Sequence, residues 1–482
     1  MPGADSSTSN EIVFTPAHEL AKMIRARTVS CREVMSSYLD RIEQRNGPLN
    51  AIVSLQDRDL LMGEAADRDD AVMSGDRLNP LHGLPVAVKD LANTKGIRTT
   101  FGSPIFQEFV PTFDSLVVSR MKQAGCIVIG KTNVPEFGLG SHSFNPVFGT
   151  TVNPYDRTKC AGGSSGGAAV ALATSMVPIA DGGDFMGSLR NPAAFNNVFG
   201  FRPSPGRVPA WPTNEVFVSQ LSTEGPMGRN VADVAMLFDV QAGQDPRLPL
   251  SLNDGQRFNH ELLRAYDPRG LRVGWLGSLD GYLATEPGVL ETCESGLKRL
   301  ESLGCTIEPS SLGMSPGAVW QAWLTWRHWL VAAGLEPHVR AGHRPLLKPE
   351  AQWEYDQAQA LTGTQILEAS QQRTAFFRSM LLMFDRYDIL VLPTAQVFPF
   401  RAEWRWPTEI AGHSMDTYHR WMEVVIYATF AGLPSMSVPV GLGPTGMPTG
   451  MQLIGRPRGD LAVLQLAAAY EATLEALQIG RA

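Results

Sequence analysis

Between residues 160 and 206 the chain is built from small, apolar residues, and this stretch limits the possible folds more than any other. It opens with Cys160-Ala161-Gly162-Gly163-Ser164-Ser165-Gly166-Gly167 and continues as a small-residue helix from Ala168 to about Ser175. Val177-Pro178-Ile179-Ala180 then reads as a strand, and Asp181 to Ser188 as a glycine-rich loop. The run is too apolar, and too punctuated by secondary-structure signals, for a flexible linker. Glycine and alanine at this density let backbone approach backbone or ligand closely.

The flanking text alternates helix and strand. Leu20, Met23 and Ile24 form one apolar face, and Val34, Tyr38, Leu39 and Ile42 the next, so two helices are expected over 16–46. Ser30, three residues before Glu33, predicts a capping box. Residues 82–89 read as a buried strand ending in Lys89, and Cys126-Ile127-Val128-Ile129 as a strand stopped by Gly130 and Lys131. Strands are also expected at 271–275, 305–307, 388–393, 435–440 and 451–455, with helices at 287–303 and 459–476. The pattern predicts an α/β fold: one large domain over 1–482 with a central mixed, mostly parallel twisted sheet flanked by helices. Its parts are a helical beginning (16–80), a core (81–265) that holds the 160–206 stretch, a helical insertion (310–385) and a C-terminal return to the sheet (386–482).

Net charge is −7, with no basic run, which argues against nucleic-acid partners. Five scattered cysteines without a CxxC argue against a disulfide scaffold or cysteine zinc site. Nine histidines without HExxH argue against a metal hydrolase, so neither metal nor cofactor is expected. The polar start, Met1 to Asp5 followed by Ser and Thr, reads as neither signal peptide nor anchor. No run of 18 apolar residues occurs, so no membrane partner is expected, and the scattered cysteines lead to the expectation of a reduced, cytoplasmic setting.

Three features carry chemistry. Lys89 follows Pro85, Val86, Ala87 and Val88, an apolar setting that lowers an ammonium pKa by desolvation and makes a neutral base; the bland alternative is a lysine snorkelling to solvent. Glycines on both sides of Ser164 and Ser165 permit unusual backbone angles, although a plain turn would read the same way. Gly187-Ser188-Leu189-Arg190 lies in a loop whose successive N–H groups can hold an oxyanion.

Together these features resemble the amidase signature family, along nearly the whole chain. Ser30-Cys31-Arg32-Glu33-Val34 and Arg41-Ile42-Glu43 are similar to its opening helices, and His82 to Asp90 to its lysine motif. Gly130 to Asn133, Phe137, Phe148-Gly149 and Asn153-Pro154 are similar to the approach to its signature. Gly225-Pro226-Met227, Arg229, Val231-Ala232-Asp233, Gly432-Leu433-Pro434 and Gly450 to Gly455 match later stretches. The resemblance implies Ser188 as nucleophile, Ser164 on a cis peptide as proton relay, and Lys89 as base. It also implies an oxyanion hole of the N–H groups of Phe185, Met186, Gly187 and Ser188, worth about 3–4 kcal/mol per donor. Ser165 is expected to hydrogen-bond Lys89, Asp184 and Arg190 to brace the loop, and Gly138, Leu139 and Met186 to line the pocket.

One departure stands out: Met186 replaces a glycine that the family usually carries in the oxyanion loop. If that position needs positive φ, methionine is strained there; otherwise its side chain shapes the acyl pocket. Trp320, Trp323, Trp326 and Trp329 form a stripe with two readings, core packing or an aromatic rim for bulky substrates. Gly163 to Gly167 also satisfies G-x-S-x-G, with Ser165 as nucleophile, but polar residues 155–159 stand where that motif needs a strand. The expected activity is hydrolysis of linear small-molecule amides, with carbamates (urethanes) and esters as further candidates, by a monomer or homodimer. The alternative is the amidase subunit of a tRNA-dependent amidotransferase, which releases ammonia from glutamine.

Overall fold

Ser30 begins its helix as the spacing predicts: its hydroxyl accepts from the Glu33 N–H, and the Glu33 carboxylate accepts from the Ser30 N–H. The computed structural model describes residues 11–474. The polar start up to Asn10, and the final residues of the helix expected to reach 476, lie outside them. Helices α1 (Ala17–Arg25) and α2 (Cys31–Arg45) bury Leu20, Ile24, Val34, Tyr38, Leu39 and Ile42. Among the described residues no helix is long and apolar enough to cross a membrane.

Strands β1 (Ile52–Val53), β2 (Pro85–Lys89) and β3 (Ile127–Thr132) form a small sheet in the order β1-β3-β2, with β2 parallel to β3. β3 does not stop at Gly130. It runs on through Lys131, whose buried Nζ donates to Ala92 O at 2.5 Å and Thr94 Oγ1 at 2.8 Å. Those acceptors satisfy a charge that sequence alone reads as a strand end.

The main sheet contains β4 (Ile179–Asp184), β5 (Phe199–Arg202), β6 (Thr223–Gly228), β7 (Arg272–Trp275), β8 (Thr306–Pro309), β9 (Ile389–Pro393), β10 (Ser435–Leu442) and β11 (Pro448–Ile454). Their order is β8-β7-β9-β11-β10-β5-β6-β4. The sheet is mixed and flanked by helices, but it is not mostly parallel. β7 pairs parallel with β8 and β9, while every other neighbouring pair is antiparallel. Two causes explain the difference. Residues 443–447 between β10 and β11 are too few for a crossover, so those strands form a hairpin. β4 and β5 point the same way, yet β6 inserts between them and runs against both.

β4 also reaches Asp184, where sequence predicts a loop from Asp181. All six of its residues pair with β6, and that pairing overrides the weak strand preference of Gly182 and Gly183. Before it, α3 (Gly166–Ala173) is buried at every position. A side-chain carbon on Gly167 would lie 2.3 Å from Asn133 N and 2.5 Å from Ala51 O, so small residues here set how closely the helix meets β1 and β3. A short helix, α4 (Arg190–Phe195), follows β4.

Between β8 and β9 lie α5 (Pro316–Arg340), α6 (Pro349–Gln359) and α7 (Gly363–Phe384). Trp320, Trp323 and Trp326 of α5 are buried and Trp329 is half-buried, so the stripe is chiefly core. It still touches the site, because the Trp323 ring packs 5.7 Å from that of Phe185. The five cysteines are free and buried.

Candidate active site

β2 ends at Lys89, which is 2% exposed. Its backbone N–H donates to Asp181 Oδ1 at 3.0 Å, tying β2 to β4. Its Nζ donates to Ser164 Oγ at 2.9 Å and to Gly183 O at 3.0 Å. Burial pulls the ammonium below its ordinary range, partly opposed by the Glu224, Asp181 and Asp184 carboxylates. The amine therefore does not snorkel to solvent.

Ser164 sits ahead of α3, and the Gly163–Ser164 peptide bond is cis. Ser141, which sequence did not single out, holds this turn: its Oγ donates to Gly163 O at 2.6 Å and accepts from Gly163 N at 3.2 Å. Ser165 departs from expectation. It does not hydrogen-bond Lys89; among the described residues its buried Oγ has no partner. The hydroxyl lies instead against Gly182, where an added side-chain carbon would sit 2.7 Å away. Its backbone N–H donates to Ser188 O at 3.2 Å, joining the two serine segments.

The turn from 185 to 189 is braced from below. Asp184 accepts from Gly187 N at 2.8 Å, Leu189 N at 3.2 Å and Arg190 Nε at 3.0 Å, and Arg202 donates to its backbone oxygen. Burial alone would raise the Asp184 pKa, but Arg190 and Arg202 hold it well below the carboxylate range. Arg190 reaches on to Gln452 Oε1 at 2.6 Å and Thr429 Oγ1 at 2.8 Å. The Gly187 N–H, one of four donors expected for an oxyanion, is thus already engaged. Positive φ in this turn falls on Gly187 (79°), not on Met186, so the methionine is not strained. Its side chain is buried in the pocket wall, with Sδ 3.7 Å from an Arg327 guanidinium nitrogen.

Lys89, Ser164 and Ser188 all line one pocket of about 310 Å³, together with Gly138, Leu139, Phe185 and Met186. Gly138 takes φ 71°, and a side-chain carbon there would lie 3.4 Å from Ser164 Oγ. Two charged wall residues escaped sequence reasoning. Glu224, on β6, is a half-buried acid whose pKa burial pushes up while Lys89 draws it down. Arg327, on α5, donates to Glu354 Oε1 and Tyr418 Oη at 2.6 Å each. An arginine inside the tryptophan stripe of 320–329 was the signal for Arg327, and an acid beside Gly225-Pro226 the signal for Glu224. Among the described residues no group of three or more His, Cys, Asp or Glu is placed to hold a metal ion.

The amidase family model matches residues 33–464. The chain belongs to the amidase family. Its solved relatives of that family include a bacterial aryl acylamidase of the amidase signature enzymes (31% identity, TM-score 0.89, 96% of each chain covered). The native peptide amidase of Stenotrophomonas maltophilia is also similar (28% identity, TM-score 0.79, 95% of this chain and 97% of that one). In sequence, the chain is 35% identical to a glutamyl-tRNA(Gln) amidotransferase subunit of Symbiobacterium thermophilum, over 94% of this chain and 96% of the relative.

Proposed function

We propose that the chain hydrolyses amide C–N bonds through an acyl-enzyme on Ser188. The observation that supports this most is the 2.9 Å contact of Lys89 Nζ with Ser164 Oγ in the pocket that Ser188 also lines. Ser188 Oγ attacks the carbonyl carbon while its proton passes to Ser164 Oγ, and the Ser164 proton passes to neutral Lys89. The N–H groups of Phe185, Met186 and Ser188 hold the oxyanion, with Gly187 occupied by Asp184. Lys89 returns its proton through Ser164 to the leaving nitrogen, and the C–N bond breaks. Water then attacks the ester by the same relay and releases the acid.

Two substrate readings share this chemistry. The apolar wall of Leu139, Phe185, Met186, Leu330, Val331 and Leu335 favours a small aryl or acyl amide, or a carbamate, taken by the chain alone. Likeness to the amidotransferase protein favours glutamine as ammonia donor within an assembly of partner subunits, and in sequence this likeness is the stronger one. The test is a panel of anilides, aliphatic amides, carbamates, esters and glutamine, assayed with the purified chain after gel filtration. Turnover of a small amide or carbamate by the isolated chain is expected. Glutaminase activity that appears in a complex, with none on small amides, would decide for the second reading.

A pH prediction follows from Glu224. Lys89 serves as base when neutral, and a nearby carboxylate favours its charged form. Glu224→Gln therefore lowers the Lys89 pKa further, and the acid limb of the kcat/KM–pH profile is expected to move to lower pH. A limb that stays put or moves to higher pH rules the coupling out.

A further inference from the structure

Beside the catalytic pocket lies a larger cavity of about 770 Å³, and Ser219 and Ser222 line both. Trp326 and Phe430 contribute to its wall, as do Arg373 and Arg458. Arg373 is the unusual member. Its guanidinium carbon lies 4.9 Å from the Trp326 ring centre and 5.5 Å from that of Phe430, and Nε donates to Phe430 O at 2.8 Å. Among the described residues no carboxylate pairs with it. Glu215 also lines the cavity, but its carboxylate accepts the N–H groups of Phe217, Val218 and Ser219 and is turned into its own loop. Burial pulls the Arg373 pKa down to about 10, still far above neutrality, so the group stays charged. Ring faces and one carbonyl offset a desolvated guanidinium incompletely, and an anion completes the match.

We propose that this cavity receives a carboxylate of the substrate, remote from the scissile bond, with Arg373 as its counter-ion. The proposal rests on the amide-hydrolase reading and names a substrate class: amides that carry an acid on their acyl or amine part. Both parts are probed with matched pairs. Glutaryl anilide is compared with its terminal carboxamide, and 4-acetamidobenzoate with 4-acetamidobenzamide, each followed by release of the arylamine.

Wild type is expected to favour the acid at least tenfold in kcat/KM in one pair or both, and Arg373→Gln to bring that ratio to about one. A ratio near one in wild type for both pairs overturns the proposal. So does a ratio that survives Arg373→Gln, because a merely structural arginine would lower both members alike. The wild-type ratio needs no variant, so a folding failure of Arg373→Gln leaves the test intact. If no member of either pair is cleaved, the amide-hydrolase reading fails on these substrates, and calorimetry with 4-acetamidobenzoate decides the cavity by itself. Binding at least tenfold tighter to wild type than to Arg373→Gln supports the site, and equal affinity or no binding overturns it.

Discussion

Ser188→Ala is expected to lower amide hydrolysis by a factor on the order of 10⁵ to 10⁶, the loss seen when a serine nucleophile is removed from a relay that acts as one unit. The substitution takes one hydroxyl from a side chain that is 6% exposed and belongs to a turn held by Asp184, Arg190 and Arg202. None of those contacts uses the Ser188 hydroxyl. The thermal transition should therefore stay where it is while turnover vanishes. Progress curves on whichever amide the panel identifies, read beside a melting curve, check both halves. More than a few per cent of wild-type activity in the variant would remove Ser188 from the nucleophile role.

Lys89→Ala should cost somewhat less, about 10² to 10⁴-fold, the usual worth of a positioned general base. The reason is local. Nζ is hydrogen-bonded to Ser164 Oγ at 2.9 Å, so without it no amine stands beside the relay. The truncation also leaves room where the side chain stood and leaves Gly183 O without its donor, so a stability loss is expected alongside. Rescue separates the two effects. A small primary amine such as ethylamine should restore part of kcat, more at higher pH where more of it is neutral. A stability defect alone would not respond to amine in that way. No rescue at any pH, with the variant folded, would count against Lys89 as the base.

Much of this was legible in the sequence because it is encoded locally. The capping box at Ser30, the apolar run that buries Lys89, and the small residues of α3 act within a few positions of themselves. The composition of 160–206 announced a place where backbones crowd and singled out Ser164 and Ser188 as candidates, whose roles came from the family resemblance. Positive φ at Gly187, with Met186 outside the left-handed region, was one of two alternatives that sequence could pose but not choose between. Ser165 was misread because its neighbours along the chain do not reveal that its hydroxyl faces Gly182 rather than Lys89.

What sequence determined by itself is the helix–strand alternation over much of the chain, though not β5 or β6, and a short list of candidate residues for chemistry. Tertiary structure alone decided which strands lie side by side, and so it placed β6 between β4 and β5 and brought Glu224 to the pocket. It also joined Arg190 to Gln452 across 262 positions, and set Arg373 between two rings with no carboxylate partner among the described residues. The physical reason is range. Backbone propensities and caps are settled by near neighbours, whereas the environment of a buried charge is set by whatever packing brings against it from far along the chain.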